Sequence, residues 1–361
     1  MKWKEVDSLV GSIKTRSLVA RPTTVDQCRE TLAYCKQNGL KVCPRGAGRS
    51  YGDEALLDSQ VLLDVSAMNR ILDFDEEKAL VTVEAGARLI DIYEQVHYRN
   101  LTLPSSPTES HSTVSGAISA NVNGKDAWRQ GSFAHQVVRL SMLTADGETI
   151  EIDRSHELFN VVVSGIGLTG IILDATLQLK PIPSPYLMVH RYPAANVDAL
   201  LETMDKVEQS YDLAVVWMDA YARGDKTGRS VIHAGTWIED DATEAQRKEL
   251  LAAGYERLDK HRRLGLGLHE AFGPLLSLAL YAQRPMLKVF NWLYYVMNRF
   301  GERNGPSSNT ELFLRFSFEA SFTVPPAHLV CGARGYTVQL TFPKAQARES
   351  IVELMGICQS S

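Results

Sequence analysis

The sequence predicts a chain of the α+β class, in which helices and strands are mixed without a repeating βαβ order. Helical and strand patterns alternate in the first third of the 361 residues, and some neighbouring strands are joined by hairpin turns. Pro181, Pro183 and Pro185 then interrupt the pattern, because three prolines in five residues cannot continue a strand ladder. We therefore expect two domains, residues 1–183 and residues 184–361.

The first helix is predicted to begin at Val25, because Thr24 and Gln27 form a capping box before apolar residues at helical spacing. Gly39 is a typical helix stop, and a short buried strand is expected from Leu40 to Pro44. The next predicted elements are strands at Val61–Val65 and Leu80–Ala85 and a helix from Leu89 to about Tyr98.

The later strands of the first domain are marked by a hairpin and by alternation. Asp146-Gly147 joins Val137–Ala145 to Glu148–Ile152 and is a strong hairpin signal. Ile171–Lys180 alternates apolar and polar residues, which predicts a strand with one apolar and one polar face. The preceding Gly165–Gly170 matches the GxGxxG dinucleotide fingerprint, but a strand follows where the fingerprint requires a helix. We therefore reject a Rossmann site.

The second domain has fewer sequence patterns that predict secondary structure. Arg284, Pro285 and Lys288 interrupt the apolar, aromatic stretch from Phe272 to Phe300, so it should not span a bilayer. It is interpreted either as a buried helical pair or as a helix in the membrane interface. The other predicted elements are strands at Leu213–Ala220 and Ser230–Trp237 and helices at Ala242–Arg263 and Ala345–Ile357.

Composition and charge exclude several classes of function. A formal net charge of −5 gives no basic surface, so nucleic acid is not an expected partner. The five cysteines include no CxxC pair, so neither a metal site nor a disulfide framework is expected. The first residues lack the apolar stretch of a signal peptide, and a cytoplasmic location is expected.

Arg45–Asp53 is the first segment whose residues indicate chemistry. Three glycines in seven residues let the backbone turn tightly and bring its N–H groups close to a ligand. Successive N–H groups in such a turn form an anion-binding concavity, which suits a pyrophosphate. A tight surface loop without a ligand is the alternative.

A second group of segments is rich in small residues and hydroxyls, as expected where backbone approaches a flat cofactor. Its alternative interpretation is a glycine-rich loop around a short helix at Val114–Ala120. The segments are Pro104–Thr108, Thr113–Ala117, Asn121–Lys125 and Gly131–Phe133.

In their order along the chain, these segments resemble the vanillyl-alcohol-oxidase-type (PCMH-type) FAD-binding family, and within it the decaprenylphosphoryl-ribose 2′-oxidases. The resemblance extends over most of the chain from about Arg21 onward. It is strongest in Arg45–Asp53, Asn123–Lys125, Gly131–Phe133, Leu143–Glu148 and Gly167–Ile172.

This resemblance implies a two-part PCMH-type FAD-binding domain followed by an incomplete α+β substrate-binding cap. It implies non-covalent FAD, because Arg49 stands where covalent relatives carry the flavin-linking histidine. The implied reaction is hydride transfer to flavin from a secondary alcohol of a sugar, a polyol or a polyprenyl-phosphate sugar. That reaction would be the oxidase half of an epimerisation, with a short-chain reductase as partner and peripheral contact with the inner membrane.

Two alternative functions stay open at this stage. One is an aldonolactone or alditol oxidase that uses oxygen directly. The other is a truncated, non-catalytic FAD-binding protein, since family members continue past the cap and return to complete the FAD domain. Asn123 also departs from the family, whose oxidases of this kind carry a histidine there.

The resemblance implies the site residues as well. Pro44–Glu54 would wrap the pyrophosphate, and Ile172 would contact the adenosine end. No catalytic base is assigned, and the candidates near flavin or substrate are Tyr51, Asn123, Lys125, Trp217 and Gln339. The expected cofactor-binding residues are Pro44, Arg45, Gly46, Ala47, Gly48, Arg49, Ser50, Tyr51, Gly52, Asp53, Glu54, Thr108, Thr113, Val114, Ser115, Gly116, Ala120, Asn121, Val122, Asn123 and Ile172.

Overall fold

The computed structural model describes residues 1–9, 11, 13–107, 109–252, 284–303, 309–312 and 340–360. By their contacts these residues form two compact units. Unit 1 contains residues 1–182 and 242–252, and unit 2 contains residues 183–241, 284–303, 309–312 and 340–360. The helical residues 244–252, which the sequence-based division gives to the second domain, thus make their contacts in unit 1.

The first sheet of unit 1 has the order β1-β2-β4-β3, with β1 antiparallel to β2 and parallel pairing of β4 with β2 and β3. Its strands are β1 (Lys2–Asp7), β2 (Lys14–Ala20), β3 (Val42–Arg45) and β4 (Val61–Asp64). Helix α1 (Val25–Asn38) connects β2 to β3. As predicted, the Thr24 hydroxyl accepts from the Gln27 N–H, and Gly39 ends the helix in the left-handed conformation.

The second sheet of unit 1 is antiparallel, with the order β5-β6-β10-β8-β9. Its strands are β5 (Ile71–Asp75), β6 (Leu80–Glu84), β8 (Val137–Leu143), β9 (Thr149–Asp153) and β10 (Ile171–Gln178). The predicted hairpin is confirmed, since β8 pairs with β9 across Gly147. The polar face of β10 is less exposed than its sequence suggests, because β10 is central and Thr176 hydrogen-bonds Thr82 on β6.

Shorter elements complete unit 1. The predicted helix from Leu89 ends at Val96, and a 3₁₀ turn, His97–Arg99, follows before Asn100 takes a positive φ. Strands β7 (Leu101–Thr102) and β11 (Lys180–Pro181) pair with each other. The helices are α2 (Leu89–Val96), α3 (Val114–Ser119), α4 (Ala127–Gln130) and α5 (Phe159–Val162).

One apolar cluster joins α1 to both sheets of unit 1. Cys28 of α1 and Leu63 of β4 are fully buried against Leu143 and Leu173 of the second sheet. Removing these side chains from water favours assembly of the two sheets, by about 25 cal/mol per Å² of apolar surface. The two sheets therefore hold the loops between them in fixed relation.

Unit 2 is built on an antiparallel sheet with the order β13-β14-β12-β15. Its strands are β12 (Tyr186–Ala194), β13 (Leu213–Met218), β14 (Ser230–Trp237) and β15 (Asn309–Leu312). Its helices are α6 (Val197–Ser210), α7 (Arg284–Arg303) and α8 (Ala347–Ser360). Arg348 of α8 forms an ion pair with Asp198 of α6. None of the helices in the described ranges is long and apolar enough to cross a bilayer.

Candidate functional site

The glycine-rich loop Arg45–Asp53 follows β3 and is anchored at its start by Arg45. The Arg45 guanidinium donates to the backbone oxygens of Ala55, at 2.9 Å, and Asp7, at 3.0 Å. Burial lowers the pKa of Arg45, and the nearby carboxylates of Asp64 and Asp7 act in the opposite direction. Arg45 therefore fixes the start of the loop, because it binds the backbone of β1 at Asp7 and the backbone just after the loop at Ala55.

The backbone of this loop lies against Thr113, at the start of α3. A Cβ on Gly46 would overlap the Thr113 hydroxyl, so only glycine fits at this crossing. Gly48 has a φ of +65°, a conformation that favours glycine. Within the described part of the chain, the N–H groups of Gly46, Ala47 and Gly48 donate no hydrogen bond. The loop therefore offers a concavity of backbone donors, and these residues fit a pyrophosphate.

Helix α3 supports the glycine-rich loop and is itself held by the chain just past β6 of the second sheet. The Thr113 hydroxyl accepts from the Gly116 N–H at 3.3 Å and caps the helix. Past the end of β6, Ala85 and Ala87 accept hydrogen bonds from the N–H groups of Ser115 and Val114. The Val114 side chain is fully buried, so any cofactor contact it makes is through its backbone. Thr108, expected in the same site, lies outside the described residues.

Glu109 forms a charged cluster beside the loop. The His111 backbone N–H donates to its carboxylate at 3.0 Å, and His111 Nδ1 lies 3.3 Å away. Burial raises the pKa of Glu109, but the hydrogen bonds from His111 and the charge of Arg49 outweigh it and hold the pKa below its usual range. The Glu109 carboxylate thus neutralises part of the positive charge that Arg49 brings to the loop.

The turn Asn121–Asp126 is held at several points. The Val122 N–H donates to Ala117, and the Val122 carbonyl accepts from the Phe133 N–H. Asn121 takes a positive φ of 43°, and its side-chain oxygen accepts from the Ala134 N–H at 3.0 Å. Asn123 itself is exposed at the tip of the turn. The expected site residues Ala120, Asn121, Val122 and Asn123 are thus brought together on one rigid segment.

A buried polar network lies behind this turn, and sequence reasoning missed it. Ser105 accepts from the Gly124 N–H at 3.1 Å, and its own N–H donates to the Gln136 side chain at 2.9 Å. Tyr93 hydrogen-bonds Ser106, and Lys180 forms an ion pair with Asp126 at 3.3 Å. A serine and a glutamine in short loops carry no periodic signal, so only the fold identifies them.

The rejected fingerprint segment lies beside the candidate site in the folded chain. The Ile166 N–H donates to the Ser119 carbonyl at the end of α3, at 3.0 Å. A Cβ on Gly167 would lie 3.5 Å from the Pro44 ring. Leu168, the next residue, is 91% exposed. The rejection of a Rossmann site is confirmed, because β10 and not a helix follows Gly170.

The other expected site residues are more dispersed. Ile172 is buried in β10, opposite Met142 of β8. Tyr51 is about half exposed on the glycine-rich loop. Trp217, in unit 2, packs on Tyr294 of α7 with ring centroids 4.7 Å apart, and Tyr294 hydrogen-bonds His233. Gln339 lies outside the described residues.

Comparison with known proteins identifies the class of this site. Residues 17–153 match the family model described as FAD binding domain. This segment contains the glycine-rich loop, α3 and the turn Asn121–Asp126.

Curated relatives extend the match into unit 2. The chain is 34% identical over 240 residues to decaprenylphosphoryl-beta-D-ribose oxidase of Mycolicibacterium smegmatis, covering 65% of this chain and 51% of the relative. It is 31% identical over 229 residues to L-gulonolactone oxidase of Mus musculus, covering 62% and 51%. The chain thus spans about half the length of these relatives.

A solved structure supports the fold. An alkyldihydroxyacetonephosphate synthase superposes with a TM-score of 0.54 at 15% identity, covering 67% of this chain and 50% of that one. The structural likeness shows the shared fold, and the domain match together with the loop geometry identifies an FAD-binding domain in this chain, with FAD as its cofactor.

Proposed function

We propose that this chain forms the flavin- and substrate-binding part of an oxidoreductase that oxidises a secondary alcohol of a sugar-like substrate. The observation that carries the proposal is the exposed Asn123 on a rigid turn of the same domain that holds the glycine-rich loop. FAD supplies a hydride acceptor when bound. The side-chain amide of Asn123 can both donate to and accept from a substrate hydroxyl, and so can orient the carbon that loses hydride.

The FAD is proposed to be held without a covalent bond. No histidine or cysteine lies between Pro44 and Glu54. Cys43, next to the loop, contacts the backbone oxygens of Pro44 and Glu54, and burial raises the pKa of its thiol. A thiol with a raised pKa is a poor nucleophile. Flavin that moves into the supernatant after acid precipitation supports this arrangement, and flavin that stays with the pellet contradicts it.

The reaction is tested by adding candidate alcohols to the flavin-loaded protein without oxygen. Loss of the visible flavin absorbance with one substrate, and formation of the matching ketone, is the expected result. Asn123→Ala should raise KM for that substrate at least about tenfold, the factor for a lost hydrogen bond. Asn38→Ala, which removes an exposed amide from α1, is the control and should leave KM unchanged. No bleaching by any sugar, polyol or lactone would refute the proposal.

The electron acceptor distinguishes a second candidate function. Relatives include L-gulonolactone oxidase, which favours an aldonolactone or alditol oxidase that uses oxygen directly. Stoichiometric peroxide in air would support that assignment. Reoxidation only by another acceptor, with a ketose that a short-chain reductase then reduces, would support the oxidase half of an epimerisation.

A peripheral membrane contact is proposed for a polyprenyl-phosphate substrate. Helix α7 exposes an apolar face next to basic side chains, as interfacial helices do. The exposed residues are Lys288, Val289, Trp292, Leu293, Met297 and Arg299. Co-sedimentation with anionic vesicles should fall in a Trp292→Ser, Met297→Ser variant and not in Leu250→Ser, which changes an exposed leucine in unit 1. Equal recovery with and without vesicles would exclude the contact.

A further inference from the structure

Gln136 is a buried side chain to which the proposed reaction gives no role. It ends the 3₁₀ turn Phe133–Gln136 and is only 1% exposed. Its side-chain oxygen accepts from the Ser105 N–H at 2.9 Å. Its side-chain nitrogen has no acceptor among the described residues. Among the described residues, the hydrogen bond to the Ser105 N–H is therefore the polar contact that holds the Gln136 side chain.

Ser105 connects Gln136 to the turn that carries Asn123. The Ser105 hydroxyl accepts from the Gly124 N–H at 3.1 Å, and Ser105 is itself fully buried. A Cβ on Gly124 would lie 2.8 Å from the Ser105 hydroxyl and 2.8 Å from the Ser106 N–H. The backbone of the turn thus rests directly on Ser105, without room for a side chain between them.

We propose that Gln136 is a positioning residue, which fixes the turn Asn121–Asp126 against the flavin through Ser105 and Gly124. The inference rests on the FAD site and goes beyond the proposed reaction. Gln136 orients the Ser105 backbone, and the Ser105 hydroxyl then holds the Gly124 N–H. Asn121 and Asp126 anchor the two ends of the turn. The hydrogen bonds from Gln136 to Ser105 and from Ser105 to Gly124 therefore fix the middle of the turn.

The test uses the whole chain loaded with FAD and needs no substrate. Gln136→Met keeps the side-chain length but removes the acceptor oxygen. It should weaken FAD binding about tenfold, the effect of one lost hydrogen bond, and should change the visible circular dichroism of the bound flavin. Gln136→Glu should restore both readings, because a buried carboxyl stays protonated and keeps an acceptor oxygen.

Two further variants separate positioning from general loss of stability. Thr102→Val removes another fully buried hydrogen bond, to His97, three residues before Ser105. It should lower the unfolding midpoint without changing the flavin dichroism. Ser105→Ala keeps the N–H that Gln136 binds but removes the hydroxyl, and should reproduce the Gln136→Met spectrum.

The outcomes decide the proposal independently of the enzymatic reaction. Weaker FAD binding and an altered spectrum in Gln136→Met and Ser105→Ala, with rescue by Gln136→Glu, support it even when no substrate is found. An unchanged flavin spectrum in a folded Gln136→Met or Ser105→Ala protein overturns it. A Gln136→Glu protein that behaves like Gln136→Met also overturns it.

Discussion

The backbone of Gly46 lies against the hydroxyl of Thr113, so that a Cβ at Gly46 would be only 2.1 Å from that oxygen. The same hydroxyl caps α3. This crossing connects the loop after β3 to the helix that lies in the chain between β6 and β8 of the second sheet. The two segments that we expect at the pyrophosphate end of the site are therefore in direct contact.

Gly46→Ala is expected to abolish detectable FAD binding, because the new methyl group must displace either the loop or the N-terminus of α3. Isothermal titration of the apoprotein with FAD measures the effect. Gly356→Ala is the matched control, since a Cβ there meets no atom within 4 Å. Adding Thr113→Ala to Gly46→Ala should recover part of the affinity. Normal FAD affinity in the single variant would show that the loop and α3 can separate without loss of the site.

The Glu109 carboxylate should contribute to stability in a pH-dependent way. Its pKa in the folded chain lies below the ordinary value of 4.5, so folding favours the ionised form. The contribution is present above pH 4.5 and is lost as the pH falls through the lower, folded pKa. The difference in unfolding free energy between the wild type and Glu109→Gln should therefore shrink below pH 4.5. A constant difference from neutral pH into that range would contradict the assignment.

His97 should make the chain less stable in mild acid. It is fully buried, and burial lowers its pKa from 6.5 to about 3. Between these values the unfolded chain binds a proton that the folded chain does not, so stability falls as the pH drops below 6.5. The slope from this one group is at most about 1.4 kcal/mol per pH unit. Urea denaturation of His97→Gln between pH 7 and pH 4 should show a correspondingly weaker pH dependence than the wild type.

The stability of unit 2 should depend on the positive charge of Arg229. It forms an ion pair with Asp219, which is only 1% exposed and also accepts from Asn291 at 2.8 Å. Arg229→Met leaves the buried carboxylate without its cation and should cost about 3 kcal/mol of unfolding free energy. Arg229→Lys keeps the charge and should cost less. Thermal unfolding followed by far-ultraviolet dichroism compares the two, and equal midpoints would argue against the pair as the cause.

The sequence predicts the elements of unit 1 well where a local signal exists. The capped helix α1, the hairpin at Gly147 and the alternating strand β10 each carry their own pattern of side chains. The end of α2 is marked less clearly, since helical spacing continues to about Tyr98 although a 3₁₀ turn replaces the α-helix from His97. Local chemistry thus locates elements more reliably than it locates their ends.

The candidate site is predictable in part for a similar reason. Glycines and hydroxyls mark the loop after β3 and the turn around Asn123, as expected for backbone that approaches a ligand. Gln136 and Ser105 are separated by 31 residues and meet only through the fold. No spacing rule in the sequence identifies such a pair. Pro44 and Gly167 likewise come close only in the folded chain.

The FAD site that we propose draws on both sheets of unit 1, with the loop after β3 on one sheet and α3, hydrogen-bonded just past β6, on the other. We expect ligand binding and folding to be linked, because only a chain with both sheets assembled brings these segments together. Free FAD at a hundred times its dissociation constant would add about 2.7 kcal/mol to the stability of such a chain. The yellow colour of a preparation then reports on how much of the protein is correctly folded, and riboflavin supply during expression becomes a determinant of yield.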